Sequence, residues 1–91
     1  MPFNSEEAIL VISALEFYET LEYQPMKPKT PGLTASLISK LRALSALTDF
    51  TKEEYSLIAF ALHVFNENLE SAHIVTSFDI DSLCEKVLDL I

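Results

Sequence analysis

Ninety-one residues, a formal net charge of −8 and only six basic side chains against fourteen acidic ones describe one acidic domain without a Lys/Arg cluster. Such a surface repels phosphate backbones and anionic membranes, which argues against direct nucleic-acid binding and against membrane association. A 49% hydrophobic composition with a single Gly excludes a disordered chain, and a single Cys excludes an internal disulfide framework and fits a reducing compartment, the cytoplasm.

The apolar run Ala8–Leu15 is preceded by Glu6 and Glu7 and not by Lys or Arg, so it does not read as an export signal. The longest stretch free of Asp, Glu, Lys and Arg is Tyr55–Asn66, too short for a bilayer, which needs about 20 residues. No internal repeat or low-complexity tract stands out.

Helical periodicity predicts four elements. The first covers residues 4–23: Asn4 caps it, and Glu7 stands at the third helical position to complete a capping box. Leu10, Val11, Ala14, Leu15, Phe17, Tyr18 and Leu21 share its wide apolar face, while Ile9 and Ile12 intrude on the wet side beside Glu16 and Glu19. Residues 24–32 follow as a linker, with Pro25, Pro28 and Pro31 biasing the chain away from helix. Pro25-x-x-Pro28 resembles the core of an SH3 ligand, but Glu22 and Thr30 occupy the places where such ligands carry a basic residue.

The second helix is expected over 34–47, with Leu33, Leu37, Ile38, Leu41 and Leu44 in register and Lys40 and Arg42 mainly facing away. The third, over 51–69, has the clearest start: Thr51 and Glu54 form a capping box, with Phe50 and Tyr55 at the staple positions. It carries two apolar stripes, Tyr55/Ile58/Leu62/Phe65/Leu69 and Leu57/Phe60/Ala61/Val64. Residues 70–78 read equally as helix, short strand or connector. Asp79 caps a last helix over 79–91, with Phe78 and Leu83 as staple and Ile80, Leu83, Cys84, Val87, Leu88 and Ile91 in register. The fold expected is an all-α bundle of about four helices in one domain, residues 1–91.

Chemistry is thinly supported. His63, Glu67, Glu70 and His73 have metal-ligand spacing, and Glu70-Ser71-Ala72-His73 matches the Glu-x-x-His of di-iron bundles. Such bundles need the motif on two helices, which only a dimer of this chain would supply. Cys84 falls on an apolar stripe, where a thiolate is disfavoured, and no nucleophile elbow or glycine-rich phosphate loop is present. The second and third helices do not make a DNA-reading helix-turn-helix, because Glu53, Glu54, Glu67 and Glu70 would face phosphate.

The sequence thus describes a non-enzymatic interaction module, an adaptor, regulator or inhibitor without a cofactor, that binds another protein and acts as a homodimer. Its expected interface is Ile9, Ile12, Leu57, Phe60 and Val64, which lie off the main stripes; alternatively, the third helix runs through the middle of a monomer. A metal- or ligand-binding dimer using His63–His73 is the alternative function, and an acidic mimic of nucleic acid a further one.

Overall fold

A computed structural model of the protein describes residues 3–21, 32–43, 49–72 and 79–91. Four helices make a small all-α bundle: α1 (Ser5–Glu19), α2 (Leu33–Ala43), α3 (Lys52–Ser71) and α4 (Ile80–Asp89). Both expected capping boxes form. Asn4 accepts from the Glu7 N–H at 2.8 Å and Glu7 accepts from the Asn4 N–H at 3.0 Å. Thr51 and Glu54 make the same exchange at 3.2 and 2.9 Å. Asp79 caps α4 by accepting from the Ser82 N–H and hydroxyl.

Several bounds shift for local reasons. α1 stops at Glu19 because the Thr20 hydroxyl and N–H both bond back to the Phe17 carbonyl, tightening the last turn. α2 begins at Leu33, directly after Gly32, whose φ of 74° is a backbone region that favours glycine. α3 carries on through Glu70 and is capped at Ala72, so that part of the ambiguous segment is helix. The triple-proline stretch, residues 44–48 and the Phe78 staple position lie outside the described residues.

α3 packs against both α1 and α4, and α1 also packs against α2. This central place corrects the reading of Leu57 as an outward residue. Leu57 is fully buried, together with Ile58, Ala61 and Leu62, because α3 packs against both α1 and α4. The core is one cluster running from Phe3 through Val11, Leu15, Leu37, Leu41, Ile58 and Leu62 to Leu83 and Val87. Among the described residues, every buried side-chain nitrogen or oxygen has a hydrogen-bond partner.

The arrangement also corrects the expectation that the chain holds no repeat. The α1 region Phe3-Asn4-x-Glu6-Glu7-x-x-Leu10-Val11-x-x-Ala14-Leu15-x-x-Tyr18 matches, position for position, Phe50-Thr51-x-Glu53-Glu54-x-x-Leu57-Ile58-x-x-Ala61-Leu62-x-x-Phe65 in α3. Ser36-Leu37-x-x-Lys40-Leu41 of α2 likewise matches Ser82-Leu83-x-x-Lys86-Val87 of α4.

The matching residues do matching work. Lys40 bonds both Glu54 carboxylate oxygens (3.1 and 2.9 Å) and sits 5.8 Å from the Phe50 ring centre. Lys86 bonds both Glu7 oxygens (3.2 Å each) and sits 5.7 Å from the Phe3 ring centre. Phe3 and Phe50 meet each other at 6.0 Å between centroids. Each half therefore lends a lysine to the capping glutamate of the other, the reciprocal pattern of a two-fold interface. In sequence and in contacts, α1 with α2 and α3 with α4 thus answer each other as the halves of a pseudo-two-fold arrangement do. That symmetry also explains the two apolar stripes of its inner helices, each of which faces its own hairpin partner and its counterpart across the axis.

Candidate functional site

Most positions where the two halves agree serve the fold. The candidate site is one of the places where they part. α3 and α4 enclose an open groove of about 220 Å³ lined by Ala59, Phe60, His63, Cys84 and Leu88. In the repeat, the corresponding residues of α1 and α2 are Ile12, Ser13, Glu16, Ile38 and Arg42.

The substitutions account for the groove. Ala59 and Cys84 are small where Ile12 and Ile38 are branched and bulky, so space opens between α3 and α4. Between α1 and α2 the Arg42 guanidinium reaches the Glu16 carboxylate at 3.1 Å and gives that surface a charged bridge. The matching pair in the second half is Leu88 and His63, which leaves the surface apolar. Phe60 is 44% exposed and Leu88 54% exposed, large fractions for side chains of this kind.

Two polar side chains line the groove. The Cys84 thiol is partly buried, not enclosed in the core, and donates to the Ala59 carbonyl at 3.6 Å. Burial pushes its pKa up, and the charges of Asp81 and Glu85 push it further. A thiol held protonated in this way is a poor nucleophile. His63 lies across the groove from Cys84, with its Nε2 3.2 Å from a Glu67 carboxylate oxygen, a contact between two exposed side chains.

Glu70 accepts from the Asn66 amide, and His73 lies outside the described residues. Among the described residues, no three of His, Cys, Asp and Glu converge as metal ligands. Of the expected interface, Ile9 is exposed on α1, Ile12 and Val64 are half-buried against the core, Phe60 is in the groove, and Leu57 is inside the bundle. Cys84, Leu88 and Ala59 were not among the expected site residues. Only comparison of the two halves singles them out, and that signal was present in the sequence.

No helix among the described residues is long and apolar enough to cross a membrane. No protein-family model, curated protein or solved structure matches this chain.

Proposed function

We propose that this chain is a non-catalytic protein-binding module whose recognition surface is the α3–α4 groove. The observation that carries the reading is the departure from internal symmetry. The fold is satisfied by Ile12, Ser13, Ile38 and Arg42 in one half, so the fold alone does not call for Ala59, Phe60, Cys84 and Leu88 in the other. An apolar groove where the other half carries a charged bridge is a surface suited to contact. Catalysis is disfavoured by the raised Cys84 pKa and by the direction of its hydrogen bond toward a backbone carbonyl.

The expectation of a homodimer rested on apolar stripes in excess of what one bundle buries. The pseudo-two-fold packing of α1 on α3 takes up most of that excess inside a single chain. A homodimer is therefore the second reading, resting on Ile9 and Phe60.

The test is paired affinity purification from the native host with cross-linking, using the wild-type chain and Ala59→Ile/Cys84→Ile. The double substitution copies the first half and fills the groove without adding charge. A protein recovered with wild type and lost with the filled variant supports the reading; equal recovery with both defeats it. Sedimentation equilibrium separates the second reading, since a homodimer would show twice the 10.2 kDa chain mass.

A further inference from the structure

Shape and charge narrow the partner. At about 220 Å³ and open along its length, the groove is smaller and less enclosed than the roughly 300–1,000 Å³ clefts that hold small molecules. It is a furrow between two packed helices, ridged by Phe60 on one side and Leu88 on the other, which suits anchors repeating along one face of a helix.

Its surroundings are acidic. Asp81, Glu85 and Asp89 are exposed at successive turns of α4, and exposed Glu67 flanks His63 on α3. The charges of Asp81 and Glu85 reach the groove floor, since both act on Cys84. The basic residues of the described helices are engaged elsewhere: Lys40 with Glu54, Arg42 with Glu16 and Lys86 with Glu7. Lys52 stands at the opposite end of α3 from Glu67, in its first turn. An isologous contact with a second copy would set the same acidic rim against itself, in a chain of net charge −8.

We propose that the α3–α4 groove holds the apolar face of a short amphipathic helix whose flanks carry Lys or Arg. The apolar anchors displace water from between Phe60, Ala59, Cys84 and Leu88, while the flanking cations meet Asp81, Glu85, Asp89 and Glu67. The inference rests on the function proposed above and adds the chemistry of the partner.

The experiment uses the full chain, ¹⁵N-labelled, titrated with a synthetic Leu/Lys amphipathic peptide and separately with its Leu/Glu counterpart. The Leu/Lys peptide is expected to bind saturably and to shift amides of residues 59–63 and 84–88 first. Loss of buried apolar anchors should weaken it about tenfold or more in Ala59→Ile/Cys84→Ile. Leu88→Arg, which copies the first half at an exposed position, should weaken it as well and serves if the double variant is unstable. The Leu/Glu peptide should bind at least about tenfold more weakly, since its flanks face like charge.

Shifts spread over the acidic residues of α1, α3 and α4 alike, with the filled groove binding as well as wild type, would mean general attraction for a polycation and overturn the proposal. Equal binding of the two peptides would overturn it too, as would self-association that buries Phe60 and excludes both. If neither peptide binds while a host protein is still recovered in a groove-dependent way, the partner chemistry falls and the interaction reading stands.

Discussion

The first hairpin (α1 and α2) and the second (α3 and α4) solve one packing problem with two surfaces. Their shared positions are those that meet across the pseudo-axis or inside each hairpin: Phe3 and Phe50, Glu7 and Glu54, Val11 and Ile58, Leu15 and Leu62, Leu37 and Leu83, Lys40 and Lys86. They differ inside the core at Ala8 and Tyr55, and on the outer seam, where Glu16 and Arg42 bridge one hairpin and Ala59, His63 and Leu88 line a groove in the other. A duplicated fold carries its own control: residues common to both copies report on stability, and exposed residues particular to one are candidates for what that copy does besides folding.

The sharpest test compares the two lysine ties. The Glu54 side chain is only 3% exposed, whereas that of Glu7 is 16% exposed. Lys40→Met leaves a carboxylate in the interior with the Thr51 N–H as its remaining partner, and should cost about 2–4 kcal/mol. Lys86→Met leaves a better-hydrated Glu7 and should cost about 1 kcal/mol or less. Urea midpoints at constant slope measure both, and equal losses would break the claim that the second capping site is the more deeply buried.

Next in size are the caps themselves. Thr51→Ala and Asn4→Ala each remove one half of a capping box and should cost about 1 kcal/mol. An unchanged midpoint for either would show that its box adds nothing to the lysine tie behind it. Gly32→Ala belongs to the same range, near 1 kcal/mol, because the substituted residue must hold a φ of 74° although nothing crowds its Cβ.

Cys84 sharpens the contrast with Ile38 at little cost to stability. The thiol should react with DTNB in the native state, more slowly than in urea, with a pH midpoint above the ordinary thiol value of 9.0. Complete protection would place it in the core and remove the groove floor.

The smallest effect concerns α4, whose Asp79 cap lacks the returning glutamate of α1 and α3. Hydrogen bonds from the Ser82 backbone, then from its hydroxyl, hold the Asp79 pKa below the ordinary 3.8. Its contribution is complete above that value and is lost as the pH falls through the lower folded-state pKa. Thermal midpoints of Asp79→Asn should therefore fall less steeply with acid than those of wild type; parallel curves would assign the acid sensitivity elsewhere.

Local rules made much of the fold readable. Asn4/Glu7 and Thr51/Glu54 located two helix starts within a residue, because a capping box needs only neighbours along the chain. What escaped was long-range. Lys40 reads as a solvent-facing residue on its own helix, and only the approach of α3 turns it toward Glu54. Leu57 reads as surplus until α3 is known to have neighbours on both sides. The repeat is hidden from apolar periodicity, which most helices share, and shows only in the identity of Phe, Glu, Leu and Ala at matching places. The groove was invisible for a related reason: Ala59 and Cys84 are unremarkable until Ile12 and Ile38 are set beside them.

The reciprocal lysine ties have a kinetic corollary. Lys40 and Glu54 are separated by 14 positions, Glu7 and Lys86 by 79. Closing the longer loop costs about 1.5 kcal/mol more in chain entropy, although the two contacts are chemically alike. The α2–α3 corner should accordingly form early, and the seam where the beginning of α1 meets α4 should close last. Refolding followed residue by residue would find Phe50 and Glu54 protected before Phe3 and Glu7. In native hydrogen exchange the same seam would be the first to open, so two ends related by symmetry would differ in lifetime solely because of where the chain was joined.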